Sequence, residues 1–198
     1  MPVGEILRAN QEKIRYFGVV LSERQIHNLA LIGFMGTGKS SVGRMVADAL
    51  HFTFLDTDDV IVGRAGKSIA DIFEQSGEAA FREFERRLVE ELTRRKSTVI
   101  STGGGLPANE SNFASLKTHA LVVCLWASPE KIWERVRGQS HRPLLREADP
   151  LEKIRKLLAE RERYYRQADV LVNTDMRSAR EVATQVIHQF HMAKQPPK

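Results

Sequence analysis

The sequence predicts an α/β domain in which a parallel five-stranded sheet lies between two layers of helices. Five short runs of apolar and β-branched residues recur along the 198-residue chain. Stretches with the helical period of about 3.6 residues separate them. Strands that alternate with helices are typical of right-handed crossover units, in which all strands run the same way. Ligands of such sheets bind beyond the carboxyl ends of the strands, so we expect the functional residues there.

Each element can be placed from its pattern. The predicted strands are Leu29–Phe34, Phe52–Leu55, Thr98–Ser101, Ala120–Trp126 and Val170–Asn173. The helical stretches between them include Val42–Leu50, Glu78–Arg95, Pro129–Arg137, Leu151–Gln167 and Ser178–His191. We expect one domain over residues 27–193, an extension over residues 1–26 and a frayed tail over residues 194–198.

Composition and charge narrow the class of protein. No stretch approaches the roughly 20 apolar residues that span a bilayer, and the chain starts without a charged-then-apolar leader. Its single cysteine, Cys124, lies in an apolar run and is expected to be a buried, inert thiol in a reducing compartment. The net charge of +5 is scattered, which fits small anionic substrates better than nucleic acid. We therefore expect a cytoplasmic monomer that binds neither nucleic acid nor membranes.

A P-loop follows the first predicted strand. Residues 33–40 read Gly-Phe-Met-Gly-Thr-Gly-Lys-Ser, with a predicted helix after them, which is the context that the motif requires. Backbone N–H groups of such a loop, together with the helix N-terminus, bind phosphates. The residues predicted to hold the nucleotide are Gly36, Thr37, Gly38, Lys39, Ser40 and Ser41. Catalytic Lys39 is expected to reach the β- and γ-phosphates, and Ser40 to bind Mg2+.

Three carboxylates follow the second predicted strand, in the run Asp56-Thr57-Asp58-Asp59. One carboxylate at such a strand end could hold Mg2+, while another accepts a proton from an attacking hydroxyl. Helix capping is an equal alternative, because Asp is a favoured N-cap and Asp58 or Asp59 could open the next helix. Both roles can hold at once for different members of the run.

Arg82 and Glu85 lie three residues apart in a predicted helix and therefore share one face. Glu85 could orient the guanidinium so that its free edge binds a substrate carboxylate. Taken alone, the spacing favours an ordinary solvated surface pair.

Three consecutive glycines, Gly103 to Gly105, follow the third predicted strand. Such a run costs backbone entropy, so we expect close approach of another group or a positive φ there. Exposed amides at this strand end could bind an anionic substrate or a metal-bound water. An ordinary loop is the alternative.

The ordered set of motifs resembles the shikimate kinase family. The P-loop run Gly-Phe-Met-Gly-Thr-Gly-Lys-Ser-Ser-Val-Gly-Arg is followed by Asp-Thr-Asp, Ser-Ile-Ala-Asp-Ile-Phe, Gly-Glu-Ala-Ala-Phe-Arg-Glu-Phe-Glu, Thr-Gly-Gly-Gly and Arg-Pro-Leu-Leu. The match runs from about Ala30 to Gln189. It implies a P-loop kinase with a nucleoside-monophosphate-kinase-like fold. It also implies transfer of the ATP γ-phosphoryl group to the 3-hydroxyl of shikimate, with Mg2+, in aromatic amino-acid biosynthesis.

The resemblance also implies roles for individual residues in phosphoryl transfer. Asp58 matches the residue that contacts the accepting hydroxyl and serves as the base, and Asp56 matches a position near Mg2+. Arg142 matches a catalytic arginine that closes over the phosphates from a lid at about residues 137–149. Arg135 matches an arginine near adenine.

The same resemblance implies the shikimate-binding residues. Arg82 and Arg161 match two arginines that bind the shikimate carboxylate. Gly103, Gly104 and Gly105 match the glycines that line the pocket. The sequence departs from many relatives where Arg-Tyr-Tyr, ending at Tyr165, replaces Pro-Leu-Tyr. It also lacks a proline near Ser178 that caps adenine in some of them.

Two other functions stay open. A related small P-loop kinase could act on gluconate or a nucleoside monophosphate, but the two arginines and the glycine triplet favour a carboxylate on a carbocycle. A nucleotide-dependent switch is the alternative from another class. It would leave Asp58, Arg82 and Arg161 without a purpose, and the chain has no guanine-specific Asn-Lys-x-Asp.

Overall fold

The computed structural model describes residues 24–138 and 149–194. Its five strands are β1 (Asn28–Ile32), β2 (Thr53–Asp56), β3 (Thr98–Ser101), β4 (Ala120–Trp126) and β5 (Val170–Asn173). All neighbouring strands are parallel, in the order β2-β3-β1-β4-β5. The predicted parallel five-stranded sheet is therefore confirmed. The first strand ends before its predicted limit because Gly33, at φ 137°, turns the chain into the P-loop.

Seven α-helices connect the strands within the described ranges. They are α1 (Lys39–Leu50), α2 (Thr57–Ala65), α3 (Ile69–Leu92), α4 (Glu110–His119), α5 (Pro129–Val136), α6 (Pro150–Tyr165) and α7 (Ala179–Lys194). A short 3-10 helix, Leu106–Ala108, lies between β3 and α4. In this part of the chain, none of the helices has both the length and the hydropathy needed to cross a membrane.

Helix α3 begins well before its predicted start at Glu78. Ser68 and Asp71 form a capping box at its N-terminus, and Gly77 breaks the helical geometry with φ 78° and ψ 171°. The element is therefore two helical pieces joined at a kink, of which the sequence predicted only the second.

The core lies on both faces of the sheet. Leu29 and Leu31 of β1 pack in the apolar cluster that also contains residues of α1 and α7. Ala30 and Ile32, which point the other way, pack in the cluster that contains residues of α3 to α6. All four side chains are fully buried, as expected for a parallel strand covered on both faces. This packing fixes the carboxyl ends of the strands, from which the functional loops emerge.

Candidate active site

The P-loop connects β1 to α1. Gly36 and Gly38 adopt positive φ, and a Cβ on Gly36 would lie 2.7 Å from Cγ1 of Val136. Among the described residues, no side chain caps the N-terminus of α1. A helix N-terminus without a side-chain cap is a typical binding position for an anion. The Nζ of Lys39 donates to the carbonyl oxygen of Phe34 at 2.9 Å, which holds the ammonium group against the loop.

The metal ligands predicted at this loop lie side by side. The hydroxyl of Ser40 donates to Oδ2 of Asp56 at 2.9 Å, and Ser40 is exposed. Within the two described ranges, no cluster of three or more His, Cys, Asp or Glu side chains could hold a metal. A hydroxyl and one carboxylate suit Mg2+, which takes few protein oxygens and completes its shell with phosphate and water oxygens. The donors present therefore fit Mg2+ bound together with a nucleotide.

Helix α2 is capped by Asp56 and not by Asp58 or Asp59. The Oδ1 of Asp56 accepts from the backbone N–H of Asp58 at 3.1 Å, because β2 runs on to Asp56 and leaves it at the N-cap position. The capping alternative for Asp58 and Asp59 is therefore wrong, and Asp56 combines capping with its contact to Ser40.

Asp58 lies against Gly103. A Cβ on this glycine would be 2.5 Å from Oδ1 of Asp58, so only glycine leaves room for the carboxylate in this position. The N–H of Gly103 donates to the hydroxyl of buried Thr57 at 3.0 Å. This amide is therefore engaged within the protein, which corrects the expectation of an exposed amide at Gly103. The close approach predicted for the glycine run is present.

Arg82 of α3 approaches the third glycine of the run. A Cβ on Gly105 would lie 3.2 Å from Nη1 of Arg82. The same Nη1 donates to Glu85 at 2.7 Å, and Nε and Nη2 donate to Glu78 at 3.1 and 2.8 Å. The Glu85 side chain is only 1% exposed, so the pair is not the solvated surface pair that its spacing favours. Burial raises the pKa of Glu85, and pairing with Arg82 opposes that shift.

Arg161 of α6 approaches the middle glycine. Its guanidinium carbon lies 5.4 Å from the centre of the buried Phe34 ring. A Cβ on Gly104 would be 3.4 Å from its Nη1. One turn later, the hydroxyl of Tyr165 donates to the carbonyl oxygen of Gly104 at 2.9 Å. The three glycines thus meet Asp58, Arg161 and Arg82 in turn, so the structure brings these predicted residues together.

Arg135 of α5 contacts both the P-loop and the residue that follows β5. Its guanidinium donates to the carbonyl oxygen of Gly36 and to both the hydroxyl and the carbonyl oxygen of Thr174, after β5. Arg135 therefore ties the P-loop to the β5 end of the sheet. Arg142, and with it most of the predicted lid, lies outside the described residues.

Several neighbours of the site were not found from the sequence. Glu78 and Tyr165 could have been found, because each lies four residues from a predicted arginine and so shares a helix face with it. Glu78 precedes Arg82, and Tyr165 follows Arg161. Thr57 carried no distinctive pattern. Cys124 was interpreted correctly: it is buried, and burial raises its pKa to about 12.

A model of the shikimate kinase family matches residues 35–191 of the chain. The chain belongs to the shikimate kinase family. A shikimate kinase of Caldanaerobacter subterraneus subsp. tengcongensis is 44% identical over 163 residues, which cover 82% of this chain and 95% of that protein. A shikimate kinase of Deinococcus radiodurans is 44% identical over 170 residues, 86% of each chain. The family expected from the motifs is confirmed.

Solved structures agree with this membership. Shikimate kinase from Acinetobacter baumannii in complex with shikimate has a TM-score of 0.80 and 35% identity, covering 89% of this chain and 98% of that chain. A gluconokinase from Sinorhizobium meliloti has a TM-score of 0.58 at 17% identity over 85% of this chain and 94% of that chain. At 17% identity, the likeness to the gluconokinase shows only that the two chains share a fold.

Proposed function

We propose that this protein transfers the γ-phosphoryl group of ATP to the 3-hydroxyl of shikimate, giving shikimate 3-phosphate and ADP. The observation that carries the proposal is the meeting of Asp58, Arg161 and Arg82 at three successive glycines beside a P-loop. Family membership and the likeness to a shikimate-bound structure support the choice of substrate. The reaction belongs to aromatic amino-acid biosynthesis.

Two arginines bind the single carboxylate of shikimate in this proposal. Within the described part of the chain, Nε, Nη1 and Nη2 of Arg82 each donate once to Glu78 or Glu85, and two of its five N–H groups carry no bond there and could serve a ligand. Glu85 is buried and fixes the guanidinium, while Arg161 approaches the next glycine from α6. Two planar guanidinium groups suit a carboxylate, because each can form paired, charge-assisted hydrogen bonds with it.

Asp58 accepts the proton of the 3-hydroxyl as that oxygen attacks the γ-phosphorus. Its place against Gly103 puts the carboxylate at the carboxyl end of β3, where the next two glycines are the ones that Arg161 and Arg82 approach. A positioned base of this kind typically contributes about a hundredfold or more to the rate. Lys39 and Arg142 stabilise the charge that develops on the transferred group.

Ser40 and Asp56 would hold Mg2+, Ser40 through its hydroxyl and Asp56 through water. When bound, Mg2+ neutralises charge on the β- and γ-phosphate oxygens. The backbone from Gly36 to Ser41 holds the phosphates, and Arg135 lies near adenine. We further infer that the protein is cytoplasmic and is a monomer that needs no macromolecular partner. Light scattering of the purified protein tests whether it is a monomer.

A substrate panel tests the proposal. Purified protein with Mg-ATP should release ADP when shikimate is added, and not with gluconate or nucleoside monophosphates. Lys39→Ala and Asp58→Asn should each lower kcat at least about a hundredfold while remaining folded. ADP release that is indifferent to shikimate, or turnover of another acceptor instead, would contradict the assignment.

A further inference from the structure

Tyr165 joins the end of α6 to the glycine segment. Its side chain is buried, at 7% exposure, in the same apolar cluster as Phe34 and Leu106. Its hydroxyl donates to the carbonyl oxygen of Gly104 at 2.9 Å. Burial raises the pKa of Tyr165 to about 12, and the charge of nearby Arg161 opposes that shift. The hydroxyl therefore keeps its proton at neutral pH and remains a hydrogen-bond donor.

Tyr165 and Arg161 meet the same glycine from the same helix. They are four residues apart on α6 and share one face. Arg161 reaches the Cα side of Gly104, while Tyr165 binds its carbonyl oxygen. Arg82, by contrast, belongs to α3 and is held by its own two carboxylates. The two arginines thus come from different helices, and the Tyr165 bond links the helix of one to the glycines that both approach.

We propose that Tyr165 is a positioning residue for shikimate. Its hydroxyl sets the distance between α6 and the glycine segment, and so the spacing at which Arg161 and Arg82 bind one carboxylate together. This inference rests on the function proposed above. Substrate positioning is sensitive to such spacing, since a displacement of about 1 Å can cost a large factor in rate.

Tyr165→Phe tests the inference because it keeps the ring and removes only the hydroxyl. The shikimate KM should rise about three- to tenfold, the range expected for one neutral hydrogen bond. The KM for ATP should stay within about twofold, because the Tyr165 hydroxyl bonds Gly104 and, in the described part of the chain, no residue of the P-loop. Tyr164→Phe is the matched control: it is the neighbouring tyrosine, and its hydroxyl accepts from exposed Arg163. It should leave both constants unchanged.

A double-mutant cycle separates positioning from a general loss of structure. If Tyr165 acts through Arg161, Tyr165→Phe should change the shikimate KM little in an Arg161→Lys background. A full three- to tenfold effect in that background, or equal effects on both substrates, would overturn the inference. Denaturant titration of every variant checks that each is folded under assay conditions.

A second measurement serves if Tyr165→Phe does not fold. A polyfluorinated tyrosine at position 165 keeps the ring and the hydroxyl but ionises at lower pH, so the donor is lost within the assay range. The shikimate KM should then rise with pH in the protein that carries the fluorinated tyrosine and stay constant with pH in the wild type. A level profile in both would refute the inference. Wild-type protein that does not turn over shikimate would refute the proposed function itself, and the inference with it.

Discussion

Replacing Gly103 with alanine tests whether the position of Asp58 controls the reaction. Gly103 is not among the glycines with positive φ, so its backbone accepts alanine. The new Cβ would lie 2.5 Å from Oδ1 of Asp58, and ordinary contact begins at 3.4 Å. The carboxylate must therefore move by about 0.9 Å. Because it is the end of a flexible side chain, we expect this movement to change stability little.

The catalytic consequence should be much larger. A displacement of about 1 Å in a reacting group can cost roughly a hundredfold in rate, or about 2.7 kcal/mol in the activation free energy. We expect Gly103→Ala to lower kcat by about that factor and to leave the KM for ATP unchanged. A coupled assay of ADP release over shikimate and ATP concentrations measures both.

Gly104→Ala is the matched control for that experiment. Its Cβ would lie 3.4 Å from Nη1 of Arg161 and from the carbonyl oxygen of Gly33, which is ordinary contact. We expect kcat for this variant to fall by less than about fivefold, since no group of the protein must move; an effect of the added methyl group on shikimate binding would appear in the shikimate KM instead. Equal losses in both variants, or a Gly103→Ala enzyme within threefold of wild type, would refute the reasoning about Asp58.

Three further expectations concern binding, phosphoryl transfer and stability. Arg82→Ala and Arg161→Ala should each lower kcat/KM for shikimate about tenfold to a hundredfold, chiefly through KM, because each loses a charge-assisted contact of about 1.5–3 kcal/mol. Steady-state kinetics with both substrates measures this effect. Equal weakening of ATP binding would count against the assignment. Arg142→Ala should lower kcat far more than ATP affinity if, as proposed, Arg142 contacts the phosphoryl group chiefly in the transition state. ATP titration alongside kcat measures this, and a loss confined to ATP affinity would argue against it. His119 is buried beside Asn28, and burial lowers its pKa below 6.5. In the unfolded chain this imidazole therefore binds a proton near pH 6.5, while in the folded protein it stays neutral to lower pH. The free energy of unfolding should decrease as the pH is lowered below 6.5. His119→Gln should flatten that dependence in denaturant titrations, and an unchanged slope would exclude the buried imidazole as its source.

Much of the fold followed from local patterns. The alternation of apolar runs and helical periods predicted the parallel sheet, because each pattern depends on neighbours within one element. The helical piece before Gly77 was missed because it has a capping box but only a short apolar period. Helix α4 was not among the predicted stretches, since its buried positions include polar Asn112 and His119, which weaken the apolar pattern.

The site was harder to predict where contacts join distant segments. Asp58 meets Gly103 only because β2 and β3 pair in parallel and end at the same edge. The burial of Glu85 depends on what packs over α3, so the spacing alone favoured a surface pair. Which aspartate caps α2 depends on the residue at which β2 ends, and that limit is not visible in a run of three carboxylates.

The regiochemistry of the product tests the central claim most directly. The glycine segment brings Asp58, Arg82 and Arg161 together. We expect this arrangement to present one hydroxyl of a carboxylate-bearing ring to ATP. Phosphorus–proton correlation NMR of the reaction with Mg-ATP should therefore give a single product, phosphorylated at the 3-oxygen of shikimate, in amounts equal to the ADP released. A mixture of phosphorylated hydroxyls, or ADP without a phosphorylated shikimate, would contradict the account.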